Sequence, residues 1–236
     1  MSGTVLRVAA WILAIGLVVA PVVAVVQGWV GAERWPLTTL RVQGELQQVD
    51  PAELREVLLP FAERGFFAVR LDDAQAAVLA LPWVRSAEVR KRWPDTLEVR
   101  VVEHRPVARW GEDRLLSDQG TLFPAAGATA PRSLPLLDGP DARTDAVMEL
   151  YGQARELFAP AGVDVRALRL DRRGSWSLQL SNGVDVVVGS REARLRMHRF
   201  ARLLPQLLAR QARTLERADL RYTNGFALTW GEPAAP

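Results

Sequence analysis

The sequence predicts an α+β chain in three successive parts: a single transmembrane helix, a small β-α-α-β-β module, and a larger β-rich domain with an antiparallel-type sheet flanked by helices. Three observations carry this reading. An uncharged apolar run opens the chain, two short patterns of helical period follow it, and period-two alternation fills much of the remainder.

From Val8 to Ala32 no side chain is charged. The apolar core from Val8 to Val26 has about the length a bilayer-spanning helix requires, roughly 20 residues. Pro21 lies inside it, and a membrane helix tolerates proline because neighbouring groups satisfy the freed carbonyl. Trp11 and Trp29 fall where the two membrane interfaces would lie. The rival reading is a cleaved secretory signal, whose apolar region is about 7–15 residues long and ends at a small-x-small site. The run here is longer and no such site precedes Trp35, so the sequence predicts an anchor over 8–29 behind a tail of residues 1–7. Positive charge does not orient it, because Arg7 on one side faces Arg34 and Arg41 on the other.

The module spans 36–104. Leu40-Arg41-Val42 followed by Gly44 reads as a short strand and turn. Leu54, Val57, Leu58 and Phe61 mark one helix face, opened by Asp50-Pro51 with Glu53 placed as in a capping box. Leu71, Ala74, Ala77, Val78 and Leu81 mark a second face, which stops at Pro82. Ala87 and Val89 then alternate with Glu88 and Arg90, and Leu97, Val99 and Val101 with Glu98 and Arg100. Between these runs Trp93-Pro94-Asp95-Thr96 predicts a β-turn with Pro94 at its second position, hence a hairpin covered by the two helices.

The domain over 105–231 begins with turn-rich sequence. Leu115-Leu116-Ser117 and Thr121-Leu122-Phe123 form a predicted small hairpin, and Ala125 to Ala130 an exposed loop. Asp145 to Phe158 carries an apolar stripe at helical spacing. Three strands are predicted next: Val165 to Leu170, Trp176 to Leu180, and Val184 to Val188 after the Asn182-Gly183 turn. A helix stripe runs from Ala193 to Leu208, with Arg194, Arg199 and Arg202 on its wet sides. A closing hairpin is predicted from Ala218 to Tyr222, Asn224-Gly225, and Phe226 to Trp230, ahead of a tail over 232–236. So near the end of the chain, the last strand is placed to lie on a sheet edge, a template for an incoming strand.

A chain of 236 residues that is 49% hydrophobic and 24% charged is long and apolar enough for real cores. A net charge of +3 does not argue for nucleic acid, and the arginines of Arg191 to Arg217 are interrupted by Glu192 and Glu216, as on a solvated helix face. With no cysteine, disulfides and thiolate chemistry are excluded. His104 and His198 lack metal-ligand spacing, and nothing in the pattern brings Glu103 and Asp118 together as a glycosidase pair. Ser117 and Ser181 have no nucleophile-elbow context. No enzyme, cofactor or metal site is predicted. Of Trp83, Trp93 and Trp110, at least two are expected in the core.

The β-α-α-β-β order resembles a POTRA module. Trp83-Val84, Ala87, Val89, Arg90-Lys91, Trp93-Pro94, Leu97, Val99, Glu103, Pro106 and Ala108 resemble the FtsQ/DivIB cell division family, as does Asp219-Leu220-Arg221-Tyr222-Thr223-Asn224-Gly225 with Trp230. The resemblance covers nearly the whole chain. It implies a bacterial inner-membrane protein with a cytoplasmic N-terminus and a periplasmic bulk, acting at the septum. In that family the protein is a scaffold that binds the FtsB/FtsL pair, mainly FtsB, through the C-terminal strand edge and links early and late division proteins. Carried over by motif, the FtsB-binding residues are Arg221, Tyr222, Asn224, Gly225, Phe226 and Trp230, with Arg172 in the Arg-Arg-Gly turn. Arg221 would pair with a partner carboxylate, and Tyr222 and Trp230 would give apolar contact. Val89 and Lys91 fall where the family has its recruitment surface. The alternative function is a single-span POTRA chaperone for envelope transport or assembly. It predicts tandem POTRA modules or a following barrel, which this sequence does not show.

Overall fold

The computed structural model describes residues 2–26, 35–125, 133–210 and 213–231. Trp29, most of the loop expected over Ala125 to Ala130, and the tail over 232–236 lie outside the described residues. The chain divides into two compact units, Met1–His104 and Arg105–Pro236.

The first unit begins with α1 (Ser2–Val26), a helix of 25 residues that contains Pro21. Trp11, Ile12, Leu13, Ile15, Leu17 and Val18 along it are all exposed. Side chains are described over only part of its length, and among the described residues no helix is long and apolar enough to cross a membrane.

The small module follows the predicted order. β1 (Thr39–Gln43) leads to α2 (Pro51–Ala62), whose N-cap Asp50 accepts a hydrogen bond from the Ala52 N–H at 2.8 Å. This satisfies one of the donors that a helix start leaves orphaned. Past a four-residue turn of helix, α3 (Gly65–Ala68), and then α4 (Leu71–Leu79), the chain enters β2 (Val84–Arg92) and β3 (Thr96–Glu103). The sheet order is β1-β3-β2, with β1 parallel and β2 antiparallel to β3. The register sets Val89 opposite Val99 and Ala87 opposite Val101. All four are buried, as are Leu54 and Leu58 of α2 and Ala74 and Val78 of α4. The period-two and period-3.6 stripes thus meet in one core.

Two details differ from the sequence reading, the proline peptide and α3, and a third, Glu103, fills a place it left open. The Trp93–Pro94 peptide is cis rather than the trans form a second-position proline would have. α3 carried no periodic signal because four residues make only one turn. Glu103 is a structural acceptor, its carboxylate taking the Gln47, Gln48 and Val49 N–H groups at 3.0, 3.1 and 2.8 Å. At Gly44 a Cβ would stand 2.3 Å from the Val101 carbonyl oxygen, so only glycine lets the backbone pass there.

Among the described residues, the second unit is built on one nine-stranded sheet. Its strands are β4 (Pro106–Trp110), β5 (Arg114–Ser117), β6 (Leu122–Pro124), β7 (Leu136–Asp138), β8 (Val165–Leu170), β9 (Trp176–Leu180), β10 (Asp185–Gly189), β11 (Leu215–Asp219) and β12 (Ala227–Trp230). They lie in the order β12-β11-β10-β9-β8-β7-β4-β5-β6. The sheet is mixed, which corrects the antiparallel-type expectation: β4–β7, β7–β8 and β10–β11 pair in parallel. Two of these parallel pairs are joined through helices, α5 (Thr144–Phe158) between β7 and β8 and α6 (Ala193–Arg210) between β10 and β11. A parallel connection needs such a crossover. β4 and β7 escaped the sequence reading because β4 alternates only weakly, with Pro106 and Ala108 on its inner face, and β7 is three residues between Pro135 and Gly139.

Val147, Leu150, Ala154 and Phe158 of α5 and Met197, Phe200 and Leu204 of α6 pack on Leu168, Leu178, Leu180, Val186, Val188 and Ala218 of the sheet. Trp83 and Trp110 are core residues of their respective units, whereas Trp93 is exposed. Ser117 is buried, and its hydroxyl accepts from the Gln119 and Thr121 N–H groups at 3.3 and 3.1 Å, tying the β5–β6 turn.

Phe200 sits between Phe158 and Phe226, with ring centroids 6.1 and 5.4 Å away. Its replacement by alanine is expected to cost about 3–5 kcal/mol, read from urea unfolding of the full chain in detergent.

Candidate functional site

The strand register brings sequence-distant residues to one end of the larger sheet. Leu170 pairs with Trp176, Trp176 with Gly189, Val187 with Asp219, and Asp219 with Ala227. The turn that holds Arg172 and the connection from Leu220 to Phe226 therefore leave the sheet at the same end. Adjacent strands are about 4.8 Å apart, so three to four spacings put the Arg172 turn some 14–19 Å from β12.

β12 is a terminal strand of that sheet and pairs only with β11 among the described residues. The Gly231 N–H donates to the Thr214 carbonyl at 2.9 Å, which turns Gly231, Thr229 and Ala227 toward β11. Backbone groups alternate along a strand, so the N–H and C=O of Leu228 and Trp230 point to the open side. Side chains alternate in the perpendicular sense: Leu228 and Trp230 are half-buried against the core, and Ala227 and Thr229 are exposed.

The connection before β12 is longer than the predicted two-residue turn. β11 starts at Leu215 and ends at Asp219, so Tyr222 stands in a loop and not on a strand. Side-chain bonding produces this difference. Asp219 accepts the Arg221 N–H and also binds its guanidinium, Nε to Oδ1 at 2.9 Å and Nη2 to Oδ2 at 2.6 Å. An aspartate that bonds its own backbone two residues on makes a turn and ends a strand. The Arg221 guanidinium holds the Asp219 carboxyl below its usual range, and Asp219 in turn raises Arg221. Leu220 is buried, and Tyr222 is 59% exposed. At Gly189, where φ is 86°, a Cβ would meet Arg196 Nη1 and Arg221 Cγ at 3.0 Å, so glycine leaves room for the clamp.

Asn224, Gly225 and Phe226 line a groove of about 620 Å³ against Arg196, Arg199, Arg202 and Leu203 of α6. Arg196 Nη1 donates to the Val188 carbonyl at 3.0 Å and Arg199 Nη1 to the Thr223 carbonyl at 3.4 Å. The sequence assigned Arg199 and Arg202 to wet helix sides and missed Arg196; an arginine at i, i+3 and i+6 on one face was the available signal. Arg172 is exposed in the β8–β9 turn, where Asp171 Oδ1 accepts the Arg173 and Ser175 N–H groups at 2.8 and 2.7 Å.

The two module residues behave differently. Val89 is 5% exposed and faces the core, so a surface role for its side chain is corrected by its place in the β2 pleat. Lys91 Nζ donates to the Phe66 and Val69 carbonyls at 3.0 and 3.3 Å and lies 5.6 Å from the Phe66 ring centroid. Burial lowers its pKa. Lys91 is thus a clamp for α3.

Residues 35–104 match the FtsQ-type POTRA domain, and residues 108–221 match the C-terminal domain described as cell division protein FtsQ/DivIB. The chain belongs to the FtsQ/DivIB family of cell division proteins. The cell division protein FtsQ of Xanthomonas campestris pv. campestris is 60% identical over 223 residues, covering 94% of this chain and 80% of the relative. FtsQ of Burkholderia pseudomallei is 35% identical over 81% of this chain and 78% of its own length. FtsQ of Coxiella burnetii is 32% identical over 83% and 80%. The family match at the C-terminus ends at Arg221, so Tyr222 and β12 are placed by geometry.

The clamp carries a pH signature. Asp219 has a depressed folded pKa, so its contribution to stability is complete above the unfolded value of about 3.9 and is lost as pH falls through the lower folded value. Asp219→Asn should therefore lower the urea midpoint at neutral pH, and the gap to the parent chain should close on acidification below about pH 3.9. A gap that stays constant with pH would mean that the ion pair contributes nothing through ionisation.

Proposed function

We propose that this chain is a non-enzymatic scaffold of the bacterial division machinery, anchored in the inner membrane by α1 and acting at the septum. The tail over 1–7 lies in the cytoplasm, the span covers 8–29, and the POTRA-like domain over 36–104 and the β domain over 105–231 are periplasmic. The FtsB/FtsL pair binds the β domain, FtsB directly, by adding a strand to β12. The observation that carries this reading is the outer side of β12, where the backbone groups of Leu228 and Trp230 face away from β11 and pair with no strand among the described residues. An unpaired strand edge is a ready template for a second chain. The stretch of α1 after Arg7, uncharged and with exposed Trp11, Leu13 and Leu17, supports the anchor.

The sheet end supplies specificity. Tyr222 offers an exposed ring beside the edge, and Asn224 and Gly225 open the groove that α6 floors. Arg221 meets a partner carboxylate by sharing or exchanging Asp219, since two of its nitrogens already bind that side chain. Arg172 reaches a partner only if the partner crosses the sheet end. Phe226 and Trp230 act mainly by fixing β12 against the core. On the POTRA-like domain, recruitment works through the surface that Lys91 holds in shape, not through Val89.

Leu228→Pro removes one outward N–H and leaves the ladder to β11 intact, since proline is tolerated where its N–H would face solvent. Loss of that bond, worth about 0.5–1.5 kcal/mol, together with the ring's bulk in the docking path, should weaken capture of FtsB by the full chain roughly tenfold. Tyr222→Ala should weaken capture without changing the urea midpoint. Undiminished capture by a folded Leu228→Pro chain would reject strand addition.

A further inference from the structure

The first unit carries an aromatic cluster that its core does not use. Trp35, Phe66, Phe67 and Trp93 form a chain of ring contacts: Trp35 to Phe67 at 5.4 Å, Phe67 to Phe66 at 5.3 Å, Phe66 to Trp93 at 5.4 Å and Phe67 to Trp93 at 6.3 Å. Rings in such edge-to-face contact ordinarily lie inside a protein. Here Trp93 is 61% and Phe67 43% exposed.

The cluster is built to stay in place. The Phe66 N–H donates to the Trp35 carbonyl at 2.9 Å, and Lys91 binds the carbonyls of Phe66 and Val69 from behind. Two hydrogen bonds from one part-buried ammonium hold this four-residue turn in shape.

Its position within the unit is also fixed. α1 comes into contact with α3, and Ala24, near the end of α1, is its one part-buried side chain among those described. Nine residue steps separate Val26 from Trp35, which can span no more than about 32 Å. Exposed aromatic rings, an apolar helix and an exposed arginine at the α3 N-cap, Arg64, therefore lie at one end of the unit. Indole and phenyl rings beside a cation suit the headgroup zone of a bilayer with anionic lipids, where tryptophan keeps its ring in the apolar layer and its N–H in the wet one.

We propose that the Trp35–Phe66–Phe67–Trp93 cluster docks into the headgroup zone of the membrane that α1 enters, holding the module against the bilayer. This rests on the reading of α1 as a membrane anchor.

The full chain is reconstituted into phosphatidylethanolamine–phosphatidylglycerol vesicles whose lipids carry a nitroxide near the headgroup end of the acyl chain. Emission lost in Trp93→Phe isolates the signal of Trp93, and Trp11→Phe isolates that of Trp11 in the helix. The expected result is that nitroxide lipid quenches the Trp93 signal to the same extent as the Trp11 signal, and that Phe67→Glu reduces quenching of Trp93 but not of Trp11. Quenching of Trp11 alone overturns the docking proposal, including the case where a protein partner covers the cluster, and leaves the anchor standing. Quenching of neither overturns the anchor and the proposal with it.

Discussion

A β-strand has hydrogen-bonding groups on both sides, and β12 satisfies only one side within this chain among the described residues. The geometry of the larger unit is arranged around that imbalance. β11 holds the inner side, the Gly231–Thr214 bond fixes the phase of the alternation, and the half-buried Leu228 and Trp230 prevent the strand from slipping by one residue. A one-residue slip would turn both side chains to solvent and reverse which amides face outward.

Holding so short a strand at an edge requires support from behind. It comes from α6, whose length follows from the parallel β10–β11 connection. The crossover that makes the sheet mixed also brings Phe200 under Phe226 and three arginines along the groove beside Asn224 and Gly225. The Asp219–Arg221 clamp then ends β11 where the loop must leave. Each feature of the edge thus depends on a topological choice made earlier in the chain.

The elements with strong periodicity were legible from the sequence. The hairpin of β2 and β3, the faces of α2, α4, α5 and α6, and the strands β8 to β10 all appear where alternation or helical spacing placed them. β12 is a terminal strand of its sheet among the described residues, as expected of the closing hairpin. What was missed has common causes. β4 turns Pro106, Ala108 and Trp110 to one side, a weak apolar alternation, β7 is three residues long, and parallel pairing depends on long-range crossovers that no local pattern reports. The Ala218 to Tyr222 strand was overextended because the bond from Asp219 to the Arg221 amide breaks the ladder while leaving the hydrophobic pattern unchanged. Val89 looked accessible by motif, but its place in the pleat points it inward. Lys91 has the same parity and still reaches past the sheet to α3, because its stem is long enough to carry the ammonium to two carbonyls.

Magnitudes limit what the edge can do for the proposed partner. Leu228 and Trp230 offer two N–H and two C=O groups on the open side. At about 0.5–1.5 kcal/mol net for each hydrogen bond, full pairing yields about 2–6 kcal/mol. A micromolar complex needs about 8 kcal/mol, after the cost of lost translational and rotational freedom has been met. Main-chain pairing on four residues therefore sets register and direction but does not supply a stable complex alone. The remainder must come from side chains at the sheet end, where an exposed tyrosine, a groove with three arginines and the Arg172 turn lie within one sheet width. A partner long enough to pair with β12 and then cross that end collects all of them. A partner that only adds a strand does not.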